Sequence, residues 1–337
     1  MSDYTIVWVD LQPATEVAFA QSLLPAGGFR IVAPAGTDEE ELRALLAGAD
    51  ALLVQHRAID ATILAAAPSL RLVQKYGRRE DGLDLEAARR ANVTVAVMPL
   101  RGCIAVAELA MTLILAFSKQ LIQAHHDTTT GAYRQLGLTP TRTSQRQHAF
   151  QWMKLPHLME VYGKTLGIIG YGEIGTEVSV RARAFGMQVL YTKHRPLPES
   201  IEARLGVTWA ERERILRESD VVLLSAPHTP ETERMIDGSA LALMKSSAYL
   251  VNIARGGLID EEALYKALAT RQIAGAALDV FVEEPVPADN PLLQLDNVIL
   301  TPHIGGGTGG ARVNHMADVL ENIVRAARGD VPRYVLT

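Results

Sequence analysis

The sequence has 337 residues, is 48% hydrophobic and carries a formal charge of −5, with a pI near 6.0. That length supports two buried cores rather than one, and the acidic balance excludes the basic footprint of a nucleic-acid binder. The single cysteine, Cys103, forms no internal disulfide, which points to a reducing, cytoplasmic setting and to a packed thiol rather than a nucleophile.

The N-terminal residues hold no basic run ahead of an apolar one, so no signal peptide is expected. Residues 104–117 are apolar but interrupted by Glu108, and they are too few for a bilayer, so no membrane span is expected. No His, Cys and carboxylate cluster has metal-ligand spacing, so no metal site is expected.

Strand-like apolar runs occupy residues 5–9, 51–54, 72–76 and 94–97, and amphipathic helical stretches occupy 39–46, 61–67 and 85–91. This alternation predicts a parallel sheet covered by helices. Residues 103 to about 126 read as one helix. The pattern then fails over 128–160, which is rich in Thr, Gln, Arg and His; an excursion this long suggests a lid or a subunit-contact arm. From Thr165 the alternation returns, with strands expected at 166–170, 188–191, 221–225, 249–253, 274–279 and 298–300. A last helix is expected over 311–327, ended by Gly329.

Gly170-Tyr171-Gly172-Glu173-Ile174-Gly175 fits G-x-G-x-x-G between an apolar strand and an amphipathic helix. In that context Gly170 allows the tight turn, Gly172 lets backbone approach a pyrophosphate, and Gly175 lets the helix pack on the sheet. The dinucleotide reading is therefore strong, where the bare motif is weak. The next strand ends in Thr192-Lys193-His194-Arg195, without the acid that accepts from the ribose of NAD. Lys193 and Arg195 instead suit a 2′-phosphate, predicting NADP(H) over NAD; a solvated basic loop tolerating either is the alternative.

Three further motifs follow expected strands: Asn252-Ile253-Ala254-Arg255-Gly256-Gly257, the stretch from Asp279 to Glu284-Pro285, and Thr301-Pro302-His303-Ile304-Gly305-Gly306. Taken singly, each has an ordinary explanation as a surface ion pair or a turn. Together with Pro227-His228-Thr229-Pro230-Glu231-Thr232 and the fingerprint, they resemble the D-isomer-specific 2-hydroxyacid dehydrogenases, which include glyoxylate/hydroxypyruvate reductases and phosphoglycerate dehydrogenases.

The resemblance spans nearly the whole chain and implies hydride transfer between a nicotinamide and a 2-oxo acid/D-2-hydroxy acid pair. It implies that Arg255 grips the substrate carboxylate, that His303 is the acid/base, and that Glu284 orients His303. It also implies that Asp279, Ile253, Ala254, Val106 and Gly305 border the nicotinamide, with Pro227, Thr232 and His194 along the rest of the cofactor. The backbone of the stretch with Lys75, Tyr76 and Gly77 would meet the substrate.

This stretch departs from the family pattern, with Arg79 where a second glycine is usual and Asp81-Gly82 where Asp-Asn is usual. Arg78 and Arg79 are expected to form a solvent-facing cluster balanced by Glu80 and Asp81, or else to meet an extra anionic group on a phosphorylated or dicarboxylic substrate. Trp152 is a candidate for reaching a partner's pocket, though a dimer-core role is favoured.

The fold expected is α/β, with two doubly wound parallel-sheet domains. A flavodoxin-like substrate domain comprises residues 1–102 plus 305–337. A Rossmann cofactor domain comprises 103–304, with the irregular arm at about 128–160. A homodimer is what the resemblance implies. A phosphite-type dehydrogenase of the same family and a non-catalytic, dinucleotide-sensing corepressor are the alternatives.

Overall fold

The computed structural model describes residues 3–146, 150–306 and 311–337. The chain opens with β1 (Tyr4–Trp8), α1 (Ala14–Ser22), β2 (Phe29–Val32), α2 (Glu39–Leu46), β3 (Ala51–Val54), α3 (Ala61–Ala65), β4 (Leu72–Tyr76), α4 (Leu85–Arg90) and β5 (Thr94–Met98). All five strands are parallel, in the order β2-β1-β3-β4-β5 of a flavodoxin-like sheet. Asp38, Asp60 and Asp84 cap α2, α3 and α4, each accepting from backbone N–H groups of the first turn that otherwise lack partners.

Between the sheets run α5 (Arg101–Ser118) and α6 (Leu121–Thr130). The expected single helix is thus two. Gln120 stands at φ +46°, in the left-handed region, and breaks the ladder where no glycine or proline announces it. α5 is long and apolar enough to cross a membrane, but Ala107, Ala110, Met111, Leu113 and Ile114 lie in the core beneath the second sheet. After α6 the arm holds a short 3₁₀ turn at Ala132–Leu136 and then irregular chain; its residues 147–149 lie outside the described residues.

The second half comprises β6 (Thr165–Ile169), α7 (Glu173–Ala184), β7 (Gln188–Thr192), α8 (Glu199–Leu205), β8 (Thr208–Trp209), α9 (Arg212–Glu218), β9 (Val221–Leu224), α10 (Gly238–Leu243), β10 (Tyr249–Asn252), α11 (Glu261–Ala269), β11 (Gly275–Leu278), β12 (Val298–Leu300) and α12 (Ala311–Ala327). Its seven strands are parallel, in the order β12-β11-β10-β9-β6-β7-β8. The order reverses beside β6, and this switch point opens a crevice at the carboxyl ends of the strands. Alternate strand residues bury on opposite faces: Val222, Leu224 and Leu250 face one core, while Leu166, Ile168 and Val251 face the other. Strands covered on both faces are apolar throughout, and this is why they were legible as short unbroken runs.

α12 returns to the first sheet. Met316, Val319, Leu320, Ile323 and Val324, at helical spacing, pack on Ile6, Trp8, Leu53 and Leu72. At about 1.5–3 kcal/mol per buried side chain, this stripe contributes at most about 15 kcal/mol of burial. Asn322, 1% exposed, donates to Gln74 at 2.7 Å and accepts from Arg333 N at 2.6 Å. The C-terminal residues close on β5 through an Ala96–Val335 bridge and Leu336 N donating to Val95 O.

Candidate active site

At the end of β6 the glycine fingerprint is built as its residue types require. Gly170 has φ +92°, and a Cβ there would meet the Ala226 backbone closer than the 3.0 Å floor of real contacts. Gly175 lies against Gly170 O, where a Cβ would sit at 2.9 Å. Over Gly172 there is open space. Gly172 also begins α7 with no side-chain cap, which leaves N–H groups of a twelve-residue helix free to meet an anion. These features fit a dinucleotide pyrophosphate. Ile174 turns partly into the core below, and Pro227 and Thr232 lie on the neighbouring loop, tied by Thr232 Oγ1 to Pro227 O at 2.8 Å.

Along the same edge, three more loops leave the strand ends. After β10, buried Asn252 braces its own turn: its Nδ2 donates to Arg255 O at 2.8 Å and its Oδ1 accepts from Ala254 N at 3.0 Å. This holds the Arg255 side chain at the surface, above buried Ile253 and half-buried Ala254. After β11, Glu284 precedes a cis proline and accepts from Phe281 N at 3.1 Å. After β12, His303 stands at φ +54°, a left-handed conformation rare outside glycine and concentrated at functional sites.

His303 Nδ1 meets Glu284 Oε2 at 2.7 Å, with the two side chains 46% and 37% exposed. The His303 hydrogen bond foremost, then Phe281 N and the nearby Arg255 guanidinium, hold the Glu284 carboxyl below its usual range against the cost of burial. Arg255, Glu284 and His303 therefore share one patch at the strand ends, with Nδ1 of the histidine engaged by Glu284.

Asp279 has a task that the sequence does not announce. It is 2% exposed, and both its oxygens are committed to the His303 turn: Oδ1 accepts from Thr301 Oγ1 at 2.6 Å and Ile304 N at 2.9 Å, and Oδ2 accepts from Gly305 N at 2.9 Å. Val106, on α5, lies close by, 3.5 Å from where a Gly305 Cβ would stand. Among the described residues no group of three or more His, Cys, Asp or Glu could hold a metal ion. Cys103 is half-buried; burial, with Glu173 and Glu177, pushes its thiol up to about 12, far from nucleophilic use.

The stretch after β4 is seated differently from expectation. Lys75 is 5% exposed; its Nζ donates to Gln55 O at 2.6 Å, and burial lowers its pKa. Gly77 has φ +116°, and a Cβ there would strike Glu173. Glu173, in the fingerprint, accepts from Arg78 N at 2.7 Å and Arg79 N at 3.2 Å. Arg78 Nε lies 2.5 Å from Glu177, which is itself 1% exposed. Arg79 pairs with Asp81, Asp81 also meets Lys193 at 3.4 Å, and Glu80, 6% exposed, pairs with Arg204.

The expected solvent-facing cluster is corrected in part: Arg79 does balance Asp81 within the loop, whereas Arg78 pairs with Glu177 and Glu80 with Arg204. Glu80 is buried because its partner stands on α8. The backbone N–H groups of Arg78 and Arg79 turn toward the start of α7, while Lys75 is engaged by Gln55 O after β3. His194 and Arg195 are exposed beyond β7, and His194 lies near enough to Glu231 to act on its charge.

In the arm, Trp152 is 39% exposed and meets Tyr133 edge-on at 5.8 Å. Sequence reasoning did not assign Asn252, Thr301, Glu177 or Arg204. A polar residue inside an apolar strand end was the available signal for Asn252; the others depend on contacts between distant segments.

A glycine-lined helix start beside a basic–acidic–imidazole trio, all at the carboxyl edge of a Rossmann sheet, defines a nicotinamide-dependent oxidoreductase. The chain belongs to the D-isomer specific 2-hydroxyacid dehydrogenase family: residues 111–305 match the family's NAD-binding-domain model. It is 42% identical over 275 residues to a glyoxylate reductase of Thermococcus kodakarensis, covering 81% of this chain and 78% of that one. It is 38% identical over 304 residues to a D-3-phosphoglycerate dehydrogenase of Methanocaldococcus jannaschii, covering 89% of this chain and 54% of that one. Among solved structures it resembles an acyclic imino acid reductase (Bsp5) in complex with NADPH and D-Arg, with a TM-score of 0.53, 26% identity and coverage of 99% and 100%. The protein is a 2-hydroxyacid dehydrogenase that uses a nicotinamide cofactor and acts on a small 2-oxo/2-hydroxy acid.

Proposed function

We propose that the protein is an NADP(H)-preferring reductase of a small 2-oxo acid of the glyoxylate or hydroxypyruvate type, with Arg255, Glu284 and His303 as its working groups. The observation that carries this is the 2.7 Å contact of His303 Nδ1 with Glu284, beside Arg255 and on the same sheet edge as the glycine fingerprint.

The cofactor, when bound, supplies or accepts the hydride. Arg255 pairs its planar fork with the substrate carboxylate and so orients the neighbouring carbonyl. His303, through Nε2, donates a proton to the carbonyl oxygen in reduction and removes it in oxidation. Glu284 holds the ring by Nδ1, and its charge favours the imidazolium that must exist before proton donation. Gly170, Gly172 and Gly175 bring backbone close to the pyrophosphate. Lys193 and Arg195 replace the acid that NAD enzymes carry after the second strand, and this supports a 2′-phosphate. The similar imino acid reductase was solved with NADPH.

In this reading residues 1–102 and 305–337 form the substrate unit, residues 103–304 form the cofactor unit, and the reaction occupies the cleft between them. Closure of that cleft excludes water. The start of α6 and the arm that follows, with Leu121, Ile122 and Phe150 more than half exposed, serve a homodimer contact, and the lone cysteine suits the cytoplasm.

The test is oxidation of NADPH and NADH against a panel of 2-oxo acids that includes phosphorylated and dicarboxylic members, with phosphite, formate and NADP⁺ as the reverse arm. Turnover of glyoxylate or hydroxypyruvate with a higher kcat/KM for NADPH is expected. Preference for NADH overturns the cofactor assignment. Turnover of phosphite alone overturns the substrate class, and cofactor binding without any turnover overturns the assignment of the working groups.

A further inference from the structure

We infer that Lys193 and Arg204 form a seat for the phosphomonoester on the ribose 2′ position, and that Asp81 and Glu80, reaching over from the first sheet, mask this seat until the cofactor displaces them. The inference deepens the NADP(H) reading and rests on it. It adds Arg204 to the seat, a residue one helix beyond the basic loop, and it gives a task to Glu80 and Asp81.

The geometry is a register of opposite charges. Arg78 meets buried Glu177 on α7, and Glu80 meets Arg204 on α8. Asp81 meets Lys193 just past β7 at 3.4 Å, while Arg79 braces Asp81 from within the loop. The backbone N–H groups of Arg78 and Arg79 hold Glu173 of the fingerprint. Residues 78–81 are consecutive, and each makes contact with an opposite charge or with the N-terminal turn of α7. A small crevice remains beneath the loop, between Arg78–Asp81 on one wall and Tyr171, Thr176, Lys193 and Leu197 on the other. The switch-point rule puts the adenosine half of a dinucleotide against this stretch, beyond the first βα turn and at the end of the second strand.

Two cations on separate elements, each engaged by a carboxylate, are what an exchange of anions requires. A phosphate dianion offers three oxygens to the same two cations and leaves neither unpaired.

The experiment measures the equilibrium affinity of the full-length protein for 2′,5′-ADP, AMP, NADPH and NADH in wild type and in the Glu80→Gln/Asp81→Asn double variant. The expected result is a gain of about fivefold or more for 2′,5′-ADP and NADPH, in the usual range of coupling between sites, with AMP and NADH unchanged. Retained AMP affinity also reports that the double variant is folded. Adding Arg204→Gln to the double variant removes the gain for 2′,5′-ADP and leaves AMP untouched. No gain, or an equal gain for AMP and 2′,5′-ADP, overturns the mask; a gain that survives Arg204→Gln overturns the seat. Failure of the NADP(H) reading is separate, because it is read in wild type alone as an NADH preference in kcat/KM.

Discussion

Asp279→Asn isolates the buried anchor of the acid/base turn. The wild-type carboxylate accepts three hydrogen bonds, from Thr301 Oγ1 and from the backbone N–H groups of Ile304 and Gly305, at 2.6–2.9 Å and 2% exposure. Asparagine keeps the shape, but it offers one acceptor oxygen and turns an NH₂ group against a donor. A bond to a charged group contributes about 1.5–3 kcal/mol and a neutral one about 0.5–1.5, so losing one bond and weakening two costs about 3 kcal/mol.

That energy resists relaxation of a turn whose histidine stands at φ +54°. At about 1.4 kcal/mol per decade, the aligned population falls by up to about a hundredfold, and kcat follows because a misplaced proton donor is unproductive. The assay is kcat for a 2-oxo acid at saturating NADPH, with cofactor affinity followed by fluorescence titration. A fall in kcat of roughly ten- to a hundredfold, with cofactor affinity changed less than tenfold, is expected. A variant with full kcat and weakened cofactor binding alone refutes the reasoning, since Asp279 would then act on the nicotinamide and not on the turn.

His303→Gln is expected to fold, to bind cofactor as wild type does and to lose about 10²–10⁴ in kcat, checked by steady-state kinetics beside cofactor titration. Arg255→Lys keeps the charge but loses the planar fork, and is expected to raise KM for the 2-oxo acid about tenfold or more in the same assay. Gly170→Ala pushes a methyl group into the Ala226 backbone at φ +92°, and is expected to destabilise by about 2–4 kcal/mol in urea unfolding. His315, 2% exposed and edge-on to Tyr76 at 4.2 Å, has its pKa pushed down to about 4 by burial. The unfolded chain therefore binds a proton there first. The stability this neutral ring contributes is complete above pH of about 6.5 and is lost as pH falls toward about 4, by up to about 3 kcal/mol. Melting curves of His315→Phe across that window are expected to show a flatter pH dependence than wild type.

Much of the fold was legible because both sheets are parallel and covered on two faces. Runs such as Ala-Leu-Leu-Val at 51–54 and Val-Val-Leu-Leu at 221–224 need no alternation to announce them. β2 escaped notice because Arg30 is exposed between its apolar neighbours at one sheet edge. α1 carries no apolar stripe, burying only Ala20, and β8 is two residues long. The division between α5 and α6 rests on one backbone conformation at Gln120, which its residue type does not signal.

Arg255, Glu284 and His303 were legible because each follows a strand in a recognisable string. The anchoring by Asp279 and the seating of residues 77–81 were not, since both depend on which distant backbone N–H or side-chain charge the folded chain brings near. Charges at positions 78–81 read locally as self-balancing, which holds for Arg79 with Asp81; the placement of Glu177, Lys193 and Arg204 reveals the other partners.

The return of α12 to the first sheet bears on how the polypeptide is made. The strands that need this helix leave the ribosome more than two hundred residues before it does. Until then Ile6, Trp8, Leu53 and Leu72 present an apolar surface covered only in part, by α1 and Leu24, while the Rossmann half, contiguous in sequence, can condense as it emerges. The first portion synthesised is thus among the last completed, and nascent chains stalled before Met316 are the species that chaperones must shield.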